Sequence, residues 1–205
     1  MVLFESEVWP QFIQQIQQTS WLEWLGFVST VACIYLAAKE NILNWPVSIL
    51  SILISAILYF DSHLFGDFAL QFYFLFTAFY GWWFWLKKKK ERKKPIVRIK
   101  LQHWIIIVIL IAILTMLSGY LLDRYTPSNV PYEDGFCTAV SLVAQIMLTR
   151  KILENWVLWI LVDICYVPLL IYKNLNLYAL LYAILVVIAI KGYLDWRKTY
   201  REQTF

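Results

Sequence analysis

The apolar residues of this chain are gathered into blocks of about twenty, the length at which an α-helix crosses the hydrocarbon of a bilayer. Seven such blocks can be drawn: Trp21 to Ala38, Trp45 to Phe60, Phe65 to Leu86, Leu101 to Leu122, Gly135 to Thr149, Trp156 to Tyr172 and Leu177 to Trp196. With 61% hydrophobic and 18% aromatic residues, the chain lacks the polar surface that a soluble domain needs. The expected class is an all-α membrane protein with seven transmembrane helices. Cys33, Cys137 and Cys165 all fall inside apolar blocks without metal-ligand spacing, and read as small core residues.

Charge placement orients the spans. One membrane face receives Lys39, the basic run from Lys87 to Lys100, Arg150, Lys151, Arg197, Lys198 and Arg201. The other collects Asp61, Asp67, Asp123, Glu133 and Asp134, with only Arg124 and Lys173 against them. The positive-inside rule then puts the N-terminus outside and the C-terminus in the cytoplasm. The basic run reads as a juxtamembrane loop, not a nucleic-acid patch, and no nucleic-acid partner is expected. No cleavable signal peptide is expected, because Glu5 and Glu7 stand where a basic n-region would be. Trp9, Phe12, Ile13 and Ile16 share one helical face and suggest a short helix lying on the membrane.

Slid against itself by 111 residues without a gap, the chain matches at matching ends of its spans. Asn44 meets Asn155, Trp45 meets Trp156, Ala78 meets Ala189, Gly81 meets Gly192 and Trp85 meets Trp196. Spans one to three and five to seven therefore read as related units, and span four as the odd linker. An odd linker after three spans keeps both units in one orientation, a parallel repeat in a 3+1+3 arrangement. The chain divides into 1–19 (interfacial N-terminal helix), 20–86 (first three-helix repeat) and 87–100 (basic cytoplasmic loop). Residues 101–130 follow as linker helix and outer loop, 131–197 as the second repeat and 198–205 as a cytoplasmic tail. Repeats of this kind in transporters place the site between the two units, near the midplane.

The stretch N-W-V-L-W-I-L-V-D from Asn155 to Asp163 supplies the candidate site. Trp156, Trp159 and Asp163 fall at i, i+3 and i+7 on one helical face. At roughly 1.5 Å per residue Asp163 lies about 12 Å into the span, and a carboxylate there costs roughly 3 kcal/mol. Two indoles beside a carboxylate suit a flat cationic or dipolar organic molecule. The alternative is a hydrogen-bonding acid between helices, with the tryptophans as packing. The first unit offers Ser48, Ser51 and Ser55 on one face of span two, and Gln71 in span three. The serines read equally well as bonds between helices. Tyr182 is the repeat-equivalent of Gln71, and the halves together would suit a two-ended ligand. The candidate substrate-binding residues are Trp156, Trp159, Asp163, Gln71, Ser48, Ser51, Asn155 and Tyr182. No catalytic residue, metal ligand or cofactor is expected.

The run L-T-R-K-I-L-E-N-W-V-L-W from Leu148 to Trp159, with Leu70-Gln71 and then Tyr80-Gly81-Trp82, resembles the signature of the PnuC-type vitamin transporters. The resemblance covers essentially the whole membrane part. It implies uptake of an unphosphorylated B-vitamin by facilitated diffusion: nicotinamide riboside most familiarly, thiamine in a sister branch (PnuT), riboflavin in another. It also implies a homotrimer in the bacterial inner membrane and a cytoplasmic kinase that traps the cargo. The riboside members carry Asn where Asp163 stands, and at positions corresponding to Ser51 and Ala78. Loss of amides and gain of a charge narrowly favour thiamine, with nicotinamide riboside as the alternative. A channel and a retinal-type seven-helix protein are the remote readings. Against the latter, Lys191 lies near the inner end of its span and a parallel repeat has no purpose there. An enzyme is weaker still, because His63 and His103 sit at opposite faces and no nucleophile–base pair can be assembled.

Overall fold

A computed structural model describes residues 13–61, 65–87, 95–173 and 175–204. Seven long helices follow one another: α1 Trp21–Ala38, α2 Asn44–Asp61, α3 Phe65–Leu86, α4 Leu101–Tyr125, α5 Pro131–Thr149, α6 Asn155–Tyr172 and α7 Asn176–Thr204. Their bounds lie within a few residues of the apolar blocks except at the end of α7, where the expected tail is helix as far as Thr204. There the Gln203 side chain accepts a hydrogen bond from the Ile96 N–H at 3.1 Å, which ties the helix end to the segment before α4. Residues 13–18 are helical, and Gln15 Oε1 accepts from the Asn176 N–H at 3.1 Å. Most of the expected interfacial helix, with Trp9 and Phe12, and most of the basic run lie outside the described residues.

Local chemistry sets the helix starts. Ser20 caps α1 by accepting from the Glu23 N–H at 3.2 Å, while Glu23 returns the bond to the Ser20 N–H at 2.7 Å. Pro131 opens α5, with Glu133 and Asp134 in the first turn facing the helix dipole. Asn44 and Asn155 each donate from the side chain to the carbonyl three residues back, Asn41 and Ile152, at 2.9 and 2.6 Å. The turns before them contain Glu40 at φ 50° and Lys151 at φ 56°, both in the left-handed region. These two residues occupy equivalent places 111 positions apart, and they pair with each other at 2.8 Å.

Six helices close into a ring. Neighbours run α1–α2–α3–α5–α6–α7, and α7 packs back on α1. The contacts come in pairs related by the same offset: α1 on α2 as α5 on α6, α2 on α3 as α6 on α7, and α3 on α5 as α7 on α1. Among the described residues α4 packs on α5 alone. Gly119 and Gly135 let those two backbones approach, since a Cβ on Gly135 would lie 2.6 Å from the Gly119 nitrogen. Five of the seven, α1, α2, α4, α6 and α7, are long and apolar enough to cross a membrane. The apolar content of α3 is largely aromatic, and α5 carries Ser141, Gln145 and an acidic first turn on the most enclosed helix of the ring. Gln145 donates to the Thr77 hydroxyl of α3 at 3.4 Å, and Ser141 faces the interior of the ring.

One end of the ring is a closely packed aromatic plug. Trp45 lies across Gly81 and Trp156 across Gly192, where a Cβ would come within 2.2 and 2.8 Å of the indoles. Trp45 meets Trp85 edge-on at 5.3 Å, Trp156 meets Trp196 edge-on at 5.5 Å, and Trp85 reaches Trp196 at 6.0 Å. Trp85 donates to the Thr149 carbonyl and Trp196 to the Ala37 carbonyl, each at 3.2 Å. Lys151, only 2% exposed, rests over the Trp85 ring while it pairs with Glu40.

Candidate functional site

Beyond the plug the ring holds a cavity of about 260 Å³, lined from all six ring helices and from no residue of α4. Its lining draws on equivalent positions of the repeat: Thr30 and Ser141, Leu70 and Leu181, Gln71 and Tyr182, and Ser55 and Tyr166. Ala189, Ile34 and Trp159 join it to the plug. Glu23 and Tyr178, near the starts of α1 and α7, line its other end.

Four of the eight expected residues line this cavity: Trp159, Asp163, Gln71 and Tyr182. Asp163 is 3% exposed and has no hydrogen-bond or ion-pair partner among the described residues. A buried polar group without a partner is costly. The Trp159 indole N–H is likewise buried and without a partner among the described residues. It sits one helical turn before Asp163 on the same face of α6. Tyr166 and Tyr182 lie 4.5 Å apart between centroids with planes inclined by 36°, an aromatic wall on the same side.

The other four stand elsewhere. Trp156 is 1% exposed within the plug, because Gly192 leaves a slot that its ring fills. Asn155 is fully buried and holds the start of α6 through Ile152. Ser51 shares a hydrogen bond of 2.7 Å with Thr30, and the Ser48 hydroxyl lies beside the Cys33 thiol. Both serines thus join α2 to α1. Ser55, one turn further along, is the member of that stripe that reaches the cavity.

The residues not anticipated come from all six ring helices, and the largest group of them is on α1. Glu23, Phe27, Thr30 and Ile34 form a stripe at three- and four-residue spacing along α1, and all line the cavity. That stripe is visible in the sequence, and the offset carries Phe27 and Thr30 onto Thr138 and Ser141. Tyr166 follows from Ser55 in the same way.

Comparison with known proteins agrees with this geometry. A family model described as nicotinamide mononucleotide transporter matches residues 20–198. The chain belongs to that family. It is 25% identical over 211 residues to the nicotinamide riboside transporter PnuC of Escherichia coli (strain K12), covering 90% of this chain and 88% of that protein. To the riboflavin/roseoflavin transporter RibM of Streptomyces davaonensis it is 25% identical over 197 residues, covering 93% and 90%. A crystal structure of the vitamin B3 transporter PnuC superposes with a TM-score of 0.74 at 23% identity, covering 95% of this chain and 88% of that one. That likeness establishes the fold. Family and apolar helices together make this a multi-pass protein of the bacterial inner membrane.

Proposed function

We propose that the chain carries an unphosphorylated B-vitamin through the cavity enclosed by its two helix triplets, with nicotinamide riboside as the first candidate. The observation that carries this reading is the pair Asp163 and the Trp159 N–H, both buried and without a hydrogen-bond partner among the described residues, against a cavity that every ring helix lines. The sequence alone tilted towards thiamine. The relatives tilt the other way, since those from Escherichia coli and Neisseria mucosa are named nicotinamide riboside transporters. A pyridinium ring suits a carboxyl group and an indole as well as a thiazolium does. Gln71, Ser55 and Ser141 on the facing wall offer hydrogen bonds suited to a ribose.

In this reading all seven helices cross the bilayer as two parallel triplets and a linker, with the N-terminus outside. The cavity then reaches towards the outer end, and the tryptophan plug closes the cytoplasmic one. Transport requires the plug to part as the triplets rock against each other. The family resemblance supports facilitated diffusion, trapping by a cytoplasmic kinase and a trimeric assembly.

Calorimetric titration of purified protein with nicotinamide riboside, thiamine and riboflavin side by side tests the substrate. Tightest binding of nicotinamide riboside is expected. Thiamine binding alone would reverse the choice of cargo, and no saturable uptake of any of the three into proteoliposomes would sink the transporter reading. Uptake should stop at equal concentrations inside and out, with or without a pH gradient.

A further inference from the structure

A second concavity, of about 640 Å³, lies outside the ring, in the angle between the linker helix α4 and α5. Ile106, Leu110 and Leu114 form one wall and Val143 and Met147 the other. Tyr73 of α3 reaches its floor, but the hydroxyl is already donated to the Leu142 carbonyl at 2.6 Å. The groove therefore offers an occupant almost nothing to hydrogen-bond along its length. Its mouth is of the opposite character, bearing Arg98, Lys100 and His103. Lys100 is exposed at the N-cap of α4, where no side chain caps the first-turn N–H groups. That end of a long helix carries partial positive charge of its own. Arg98 gives one nitrogen to Glu154 at 2.8 Å, and its side chain stays 53% exposed.

We propose that this groove binds one anionic phospholipid, with an acyl chain along α4 and α5 and the phosphate at Arg98, Lys100 and His103. Each half of the site selects one half of the ligand. From Lys100 to Leu114 the helix advances roughly 21 Å, enough for a headgroup and one leaflet's depth of about 15 Å. The basic loops put the mouth at the membrane surface, where cationic side chains attract anionic headgroups. Arginine and lysine beside a helix N-terminus that no side chain caps bind a phosphate with charge-assisted bonds. A zwitterionic headgroup would bring its own cation into a site that already has three basic side chains.

The test is native mass spectrometry of the delipidated full-length protein, titrated with phosphatidylglycerol and with phosphatidylcholine. One phosphatidylglycerol per chain should be retained at concentrations where phosphatidylcholine is lost. Lys100→Gln combined with His103→Gln should weaken phosphatidylglycerol at least fivefold. Leu110→Trp, at a position 43% exposed and so tolerant of size, should remove it by filling the groove. Vitamin binding, on the far side of α5, should be unchanged in both variants and shows that they are folded. Equal retention of the two lipids, or retention unaltered by either variant, overturns the proposal. So does a Leu110→Trp protein that changes its number of chains per particle while keeping its lipid, because the face is then a contact between copies.

Discussion

The two ends of the helix ring are built from equivalent positions and treat them in opposite ways. At the plug the equivalents are kept: Trp45 and Trp156, Gly81 and Gly192, Trp85 and Trp196 make the same contacts twice. Around the cavity several diverge: Ser55 stands against Tyr166 and Gln71 against Tyr182, while Trp159 and Asp163 line it and their equivalents, Ser48 and Ile52, do not. A closed seal between two like units has one best packing, so both units adopt it. A ligand without two-fold symmetry needs different groups on its two sides, so the lining cannot stay paired. Glu40 and Lys151 are the exception at the sealed end. Like charges at equivalent positions would face each other there, and one acid with one base turns repulsion into an ion pair.

The sharpest break of this contrast is Trp156→Ala. Emptying a fully buried indole site should lower stability by about 3 to 5 kcal/mol, read as a drop in melting temperature in detergent. The vitamin affinity of the protein that remains folded should be unchanged; a stable variant that no longer binds would move Trp156 into the site. Next in size is the buried pair. Glu40→Lys or Lys151→Glu alone should cost about 3 kcal/mol, because each leaves like charges in a buried place. The double exchange should regain most of that loss, since the two positions are equivalent. A double variant as unstable as both singles added together would deny the equivalence.

At the cavity the effects fall on binding. Trp159→Ala should weaken a cationic vitamin by about 2 kcal/mol, roughly thirtyfold, with a far smaller change in melting temperature than Trp156→Ala. Similar melting losses in the two variants would erase the distinction between plug and site. The smallest effect expected is from Asp163→Asn, about 1.5 kcal/mol or roughly tenfold for thiamine, and less for nicotinamide riboside, whose carboxamide gains an amide donor. Equal losses for both vitamins would remove Asp163 from any part in choosing between them.

Much of the fold was legible because apolar blocks, charge asymmetry and a fixed offset are all properties of the chain in one dimension. The site was legible in part. Trp159 and Asp163, which line the cavity, stood out because a buried acid beside an indole is costly in any bilayer, whatever surrounds it. Trp156 was assigned to the same box by helical spacing, and spacing is blind to Gly192, which opens the slot that takes its ring away. The serine stripe on α2 failed for a related reason. Thr30 of α1 takes Ser51, Ser48 lies beside Cys33 outside the cavity lining, and Ser55 is left to the cavity.

By itself the sequence determined that the chain is helical and crosses a membrane, that its halves are related, and which rare polar residues stand mid-span. Tertiary structure alone decided which of two neighbouring tryptophans seals and which faces the cavity. It also decided that the aromatic wall comes from α6 and α7 together, and that Asp163 has no hydrogen-bond partner among the described residues. The physical reason is the reach of the signals. Helical periodicity fixes the direction of a side chain about its own axis, whereas its use depends on what the facing helix presents at the same height, and that is settled only when the ring closes.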